Sequence, residues 1–349
     1  MKAIIKRLRP SYKNSAKDQA NLRHKKQALE ALNHIENNSN YVLSKKQKSE
    51  IDEYSKATFG SAAYAYWLYV YTAYNEEFIE GWIPDNFFGY VVAPKVNKGI
   101  GKIANVKTLS KKIIGSELLP DKFYWIDNAL YTAEYDLIRD KDIQKKLFET
   151  DEELYIKRDL TNKGKGVIKV NKQSFNLSEM KQMGDCVVQT PIKQAAWFNE
   201  FITGSVATIR ITTVKGLDHS IRMRAATLRL GRKDSQFVES SDAVSVPIVN
   251  QNGDLGEFGI DHQWKKHYEH PDSKVKFAGA SVPHFSRAVK ECENIHRKLP
   301  QFTIVGWDLA ITEHGDVKII EWNAAYPGIK YHEALVGPCF TDMKWEKLR

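Results

Sequence analysis

Residues 306–328, GWDLAITEHGDVKIIEWNAAYPG, alternate apolar and polar side chains on both sides of a glycine-containing turn, and they place Asp308, Glu321 and Asn323 inside that pattern. Val305, Trp307, Leu309 and Ile311 alternate with other residues, Glu313-His314-Gly315-Asp316 has turn chemistry, and Val317 to Trp322 resumes an extended pattern. With His314 and Gly315 at the centre of the turn, cross-strand partners sum to 629, so Asp308 lies opposite Glu321. Asn323 returns to the same face because strand side chains repeat every second residue. Trp307, Leu309, Ile311, Ile320 and Trp322 then point the other way, into a core. Facing carboxylates destabilise a sheet unless a cation lies between them, and hard oxygen ligands suit Mg²⁺ or Mn²⁺ better than zinc. Asp308, Glu321 and Asn323 are therefore candidate metal ligands; a solvated surface hairpin is the plainer alternative.

At 349 residues, 42% hydrophobic and 27% charged, the chain reads as a globular protein of two or three sub-domains. Its net charge of +9 is unevenly placed, since residues 1–26 hold nine basic side chains against Asp18 alone. Such an arm can touch nucleic acid or anionic lipid, but a solvated terminus explains it, and no nucleic-acid partner is expected. Three cysteines, widely spaced and odd in number, argue for a reducing compartment. The opening MKAIIKRLRP lacks the apolar core of a secretory signal. The expected location is cytoplasmic, with peripheral contact at the inner face of an anionic membrane as the alternative. His262, His267 and His270 fit no zinc spacing and read as a polar loop. Residues 57–75 carry no charge, yet five tyrosines dilute them below what a membrane span requires; SAAYAYWLYVYTAY reads as a buried helix.

Residues 1 to about 80 read as helical, with a polar helix over Lys17–Ile35 ahead of the aromatic one. Strands dominate from Tyr155 onward, interrupted by a helix from Pro283 to about Arg297. The pattern is α+β with antiparallel sheets.

Three further segments carry candidate chemistry. YIKRDLTNKGKGVIKV is a strand, a glycine- and lysine-rich loop and a second strand. Lys157 at the strand end would contact phosphates, and Thr161 to Gly166, with Lys163, Gly164 and Lys165 between them, would fold over them as a flap. An exposed hairpin rich in lysine would look similar. In CVVQTPI, residues Gln189, Thr190, Pro191 and Ile192 form an extended connection able to offer backbone groups to an adenine edge. Arg210 sits in the apolar strand VATIRITTV, where a guanidinium needs an anionic partner: a phosphate, a carboxylate under attack, or Glu321 as a salt bridge.

In order, Lys157 with its flap, VVQTPI, Arg210, Asp308 and Glu321-x-Asn323 resemble an ATP-grasp enzyme, and GWDLAITEHGDVKIIEWN looks like the sugar-transfer-associated branch and its teichuronopeptide-synthesis relatives. The resemblance covers roughly Trp82 to Phe340. It implies two α+β lobes with antiparallel sheets enclosing ATP, after a helical N-terminal region: residues 1–105 helical, 106–195 the nucleotide-binding lobe, and 196–349 the carboxyl-terminal lobe with the metal site. It implies Mg²⁺ on Asp308, Glu321 and Asn323, phosphates on Lys157, and adenine framed by Gln189 to Ile192. The family's second phosphate lysine is placed at Lys107, ahead of Lys111 and Lys112. Two departures stand out: Gln189 where a glutamate commonly opens the adenine hinge, and Gly306 where an arginine often precedes the metal aspartate by two. Arg210 is a candidate to take over that anion-binding duty.

The resemblance implies a ligase that joins a carboxylate to an amine while forming ADP. The expected substrates are a small-molecule or glycan carboxylate and an amino acid or amino sugar, in surface polysaccharide synthesis. Lys157 and Arg210 would neutralise charge in the transition state. A sugar or polyol kinase on the same fold, or a binding protein working through the basic arm, are the competing classes. Nothing in the sequence fixes the oligomeric state.

Overall fold

The computed structural model describes residues 16–139, 142–161, 166–233, 235, 237–238 and 243–349. The basic residues of the amino-terminal arm up to Lys13, and Lys163, Gly164 and Lys165 of the expected flap, lie outside the described residues.

Three helices open the described chain: α1 (Ala16–Asn38), α2 (Lys45–Phe59) and α3 (Ala65–Asn75). Ser44 starts α2 through a reciprocal capping box with Gln47, which satisfies orphan amides at the helix end. The aromatic stretch is buried as expected, but it is a 3₁₀ turn over Ala62–Tyr64 running into α3. Ala65 and every residue from Trp67 to Tyr74 are buried, so α3 has no polar stripe and is enclosed on all sides. No helix among the described residues is long and apolar enough to cross a membrane.

Two antiparallel sheets follow. The first has the order β3-β2-β1-β6-β4-β5. Its strands are β1 (Asp121–Ile126), β2 (Ala129–Thr132), β3 (Leu137–Ile138), β4 (Glu153–Arg158), β5 (Val167–Asn171) and β6 (Cys186–Gln189). The second has the order β11-β10-β9-β8-β7-β12-β13. It comprises β7 (Thr208–Lys215), β8 (Ile221–Leu230), β9 (Val244–Ile248), β10 (Gly259–Ile260), β11 (Lys266–His267), β12 (Ile304–Ile311) and β13 (Val317–Asn323). The helix α4 (Phe285–Arg297) covers one face of the second sheet, with Phe285, Val289, Cys292 and Ile295 packed against Ile209, Ile211, Trp307 and Leu309. At the other face lie the amino-terminal helices and α5 (Lys330–Val336), sharing a core with Val214, Ile304, Ile329, Phe340 and Trp345. The helical region therefore packs onto the sheet face that also bears the polar cluster of Asp308 and Glu321.

The β12–β13 hairpin pairs Asp308 with Glu321 and Gly306 with Asn323. It reaches that register by a different route from the one the sequence suggests. The turn spans three residues, Glu313 to Gly315, with Gly315 left-handed (φ 77°), and not two. A bulge then leaves Ile320 without a partner, so Leu309 pairs with Ile319. The two irregularities cancel at Asp308. They also exchange neighbours: Ile319, not Ile320, enters the core with Trp307, Leu309, Ile311 and Trp322. Slipping the strand by one residue would turn these side chains outward at about 1.5–3 kcal/mol each, which pins the register.

Candidate functional site

Asp308, Glu321 and Asn323 share one face of the second sheet, and Arg210 arrives on it from β7, directly opposite Asp308. The Arg210 guanidinium donates from Nε to Asp308 Oδ1 at 2.6 Å, from Nη2 to Oδ2 at 2.7 Å, and from Nη1 to the Pro327 carbonyl at 2.7 Å. Its partner is thus Asp308, and neither Glu321 nor an open anion site. Burial pushes the Asp308 carboxyl up, but Arg210 and Arg229 outweigh it and hold it below the usual carboxylate range. Asn323 donates its amide to Asp308 Oδ2 at 3.4 Å.

Glu321 is the open acid of the group. It makes no hydrogen bond and no ion pair among the described residues, and burial together with Asp308 pushes its carboxyl up. Lys107, Lys157 and Arg210 act against that push, and Arg229 lies nearby. Lys157 projects from β4 across to the second sheet, where Nζ lies 3.4 Å from the Ile320 carbonyl. Burial lowers its pKa to about 8 against the pull of Glu321 and Asp121. Lys107 donates to the Thr161 carbonyl at 2.7 Å, and burial lowers its pKa against Glu321 and Asp159. Arg229 on β8 makes one long contact, 3.7 Å from Nη1 to Asp308 Oδ1. Burial and the neighbouring Arg210 lower its pKa to about 10. Two more acids lie near the lysines: Asp121, held by hydrogen bonds from Gln189 and Tyr124, draws on Lys157, and Asp159, held by Thr108, draws on Lys107.

Of the other candidate phosphate lysines, Lys111 pairs with Glu117 and Glu134, and Lys112 lies over the Tyr135 ring, so Lys107 alone of the three faces Glu321. Gln189 is buried and donates to Asp121 at 2.7 Å. Thr190 anchors to the Pro120 carbonyl, and the chain then crosses through Pro191 and Ile192 to the second sheet, where the Ala195 amide donates to Ile311. Residues 190–195 are the strap between the sheets. Thr161 and Gly166 close the ends of the expected flap; the Thr161 hydroxyl donates to the Arg158 carbonyl at 2.7 Å.

Gly306, the departure from the arginine expected there, has a steric reason. A Cβ at this position would lie 3.0 Å from Pro327 Cβ, so a side chain here would press on the loop that gives its carbonyl to Arg210. Arg229 is a site residue that sequence reasoning misses; its signal is a half-buried arginine between the buried Leu228 and Leu230 of β8. His267 pairs with Asp261 and His270 with the Gly231 carbonyl, and neither joins a metal cluster. Among the described residues no group of three or more His, Cys, Asp or Glu is arranged for a metal. A divalent ion here would rely on two acids and the Asn323 amide oxygen. The donor set still fits a hard cation: oxygen only, two carboxylates face to face, and one of them, Glu321, without a hydrogen bond or ion pair among the described residues.

Residues 174–341 match the family described as sugar-transfer associated ATP-grasp. No curated protein is a detectable relative. Similar solved structures include the D-Ala:D-Ser ligase VanG from Enterococcus faecalis, 12% identical over 72% of this chain and 60% of that one, TM-score 0.41. ATP-grasp ligase PsnB complexed with minimal precursor is 10% identical over 72% of this chain and 63% of that one, TM-score 0.40. The biotin carboxylase domain of Hydrogenobacter thermophilus 2-oxoglutarate carboxylase, in complex with MgADP, ADP and bicarbonate, is 10% identical over 70% of this chain and 45% of that one, TM-score 0.40. The chain spans about half the length of the first solved structures it matches. Likeness at this level carries no weight for what the chain binds.

Proposed function

We propose that this chain, whose residues 174–341 belong to the sugar-transfer associated ATP-grasp family, is an ATP-dependent carboxylate–amine ligase. One observation carries the reading: the half-buried Lys107 and Lys157 converge on the sheet face that holds Asp308, Glu321 and Asn323, with Arg229 beside Asp308. Cations set beside facing carboxylates suit a ligand that brings both signs, and a polyphosphate carried with a divalent cation is such a ligand.

In this reading adenine lies along the strap at Gln189 to Ile192, and Lys107 and Lys157 take the phosphates. Asp308, Glu321 and Asn323 would hold Mg²⁺, or Mn²⁺, which when bound would neutralise charge on the phosphate oxygens. The anion-binding duty expected of Arg210 passes to Arg229, because Arg210 is consumed in fixing Asp308. A carboxylate attacks the γ-phosphorus, ADP leaves, and an amine then displaces phosphate from the acyl phosphate and loses a proton. Water has to be kept out between the two steps. Residues 161–166 are the segment proposed to close over the phosphates. The family's link to sugar transfer supports a glycan or sugar-derived substrate, and surface polysaccharide synthesis is the proposed setting. The proposed division is a helical region (1–105), a nucleotide lobe (106–195) and a metal-site lobe (196–349).

The test is product formation. ADP release should require a carboxylic acid and an amine together, with one amide formed per ADP. Stoichiometric ADP from a single hydroxyl acceptor would replace this reading with a kinase.

A further inference from the structure

Three residues beyond Asn323, a tyrosine is turned the opposite way from its usual surface pose. Tyr326 is 39% exposed, yet its hydroxyl donates to the Asp85 carbonyl at 3.0 Å inside the protein. With the hydroxyl engaged there, the exposure falls on the remainder of the residue. A tyrosine at an interface ordinarily buries its ring and keeps its hydroxyl wet. Here the apolar part is presented and the polar part is spent on an anchor.

The ring is also held still. Phe88 stacks behind it with centroids 6.0 Å apart and planes 27° off parallel. At Gly89 a Cβ would lie 2.6 Å from the ring, so only glycine lets it seat. Phe88 and Gly89 belong to a π-helical turn, Phe88–Val92, an irregularity that recurs at functional sites. On the carboxyl side, the next residue, Pro327, gives its carbonyl to Arg210. The segment is thus pinned at Tyr326 and Pro327, immediately beside the Arg210–Asp308 pair. His24 meets the Tyr326 ring edge-on at 6.5 Å and the Tyr90 ring at 6.0 Å, and Arg23 Nη2 lies 3.5 Å from the Tyr90 hydroxyl.

We propose that the open face of Tyr326 is a sugar-binding subsite, on which the C–H face of a pyranose stacks while the Tyr90 hydroxyl and the Arg23 guanidinium meet its hydroxyls. A rigid apolar plane with donors at its rim matches a ring that has one C–H face and hydroxyls around its edge. An aliphatic amine has no such face. A nucleobase calls for in-plane backbone partners, and its proposed place is the strap at residues 189–192. That the bound sugar is the ligase's acceptor rests on the proposed ligase function; that the ring binds a sugar does not.

The experiment is calorimetric titration of the full chain with methyl β-glucuronide and with N-acetylglucosamine, using adenosine as competitor and MgADP binding as a separate arm. At least one sugar is expected to bind the wild type. Tyr326→Leu and Gly89→Ala should weaken it about fivefold or more, the scale of one aromatic contact, and Tyr326→Phe should weaken it less. Unchanged sugar affinity in Tyr326→Leu, absence of binding of either sugar to the wild type, or displacement of the sugar by adenosine would overturn the proposal. Sugar binding that depends on Tyr326 in a chain that binds no MgADP would uphold the subsite and remove the ligase.

Discussion

Arg210 and Asp308, on adjacent strands and 98 residues apart in the chain, face each other and share two charged hydrogen bonds of 2.6 and 2.7 Å. Both are buried, so removing one partner leaves the other's charge stranded. Arg210→Met is expected to destabilise the fold by about 3–5 kcal/mol, measured by urea unfolding at neutral pH. A loss below about 1 kcal/mol, the size of an exposed pair, would mean that water reaches Asp308 and that the pair does not organise the site.

Arg229 should behave in the opposite manner. Among the described residues its one ion-pair contact is 3.7 Å long, to Asp308, and it lies beside another guanidinium, so it adds repulsion next to Arg210. Arg229→Met is expected to leave unfolding stability unchanged or raised while turnover falls about 100-fold or more, the scale of one lost transition-state donor. Loss of stability with unchanged turnover would reverse the roles of the two arginines.

Lys157 should make nucleotide affinity depend on alkaline pH. Its pKa is lowered to about 8 from 10.5, so between these values the folded chain binds fewer protons than the unfolded chain. Its own contribution to stability therefore rises with pH through that window, while its charge disappears. MgADP affinity should weaken above pH 8, by up to about tenfold per unit, and Lys157→Arg should flatten the profile because arginine stays charged. An identical alkaline decline in Lys157→Arg would assign the titration to another group.

Placing an arginine at Gly306 should fail. At Gly306 a Cβ already meets Pro327 at 3.0 Å. Gly306→Ala is expected to cost about 1–3 kcal/mol by overpacking, and Gly306→Arg more, with loss of the Pro327–Arg210 contact. A Gly306→Arg variant as stable as wild type and at least as active would show that the loop yields freely.

Legibility followed sequence distance. The β12–β13 hairpin is readable because alternation and turn chemistry are local, and Asp308 meets Glu321 as expected even though an extra turn residue and the Ile320 bulge leave no mark in the pattern. The aromatic helix is readable from its lack of charge. The Arg210–Asp308 pair is not, because it requires β7 and β12 to be neighbours, which no local pattern states. Nor is Arg229, whose role emerges only when β8 is laid beside β7. The packing of the amino-terminal helices onto the polar face is equally hidden, and with it Gly89 under Tyr326. Lys163, Gly164 and Lys165 stay expectations from the sequence.

The most direct test is metal-dependent nucleotide binding with the open acid neutralised. Glu321→Gln keeps the side chain's shape and removes its charge. Calorimetry with ATP, with and without Mg²⁺, should show the wild type gaining about tenfold or more in affinity from the metal and Glu321→Gln losing most of that gain. Equal affinities and equal metal dependence in the two proteins would contradict the assignment of this sheet face as a cation-assisted phosphate site.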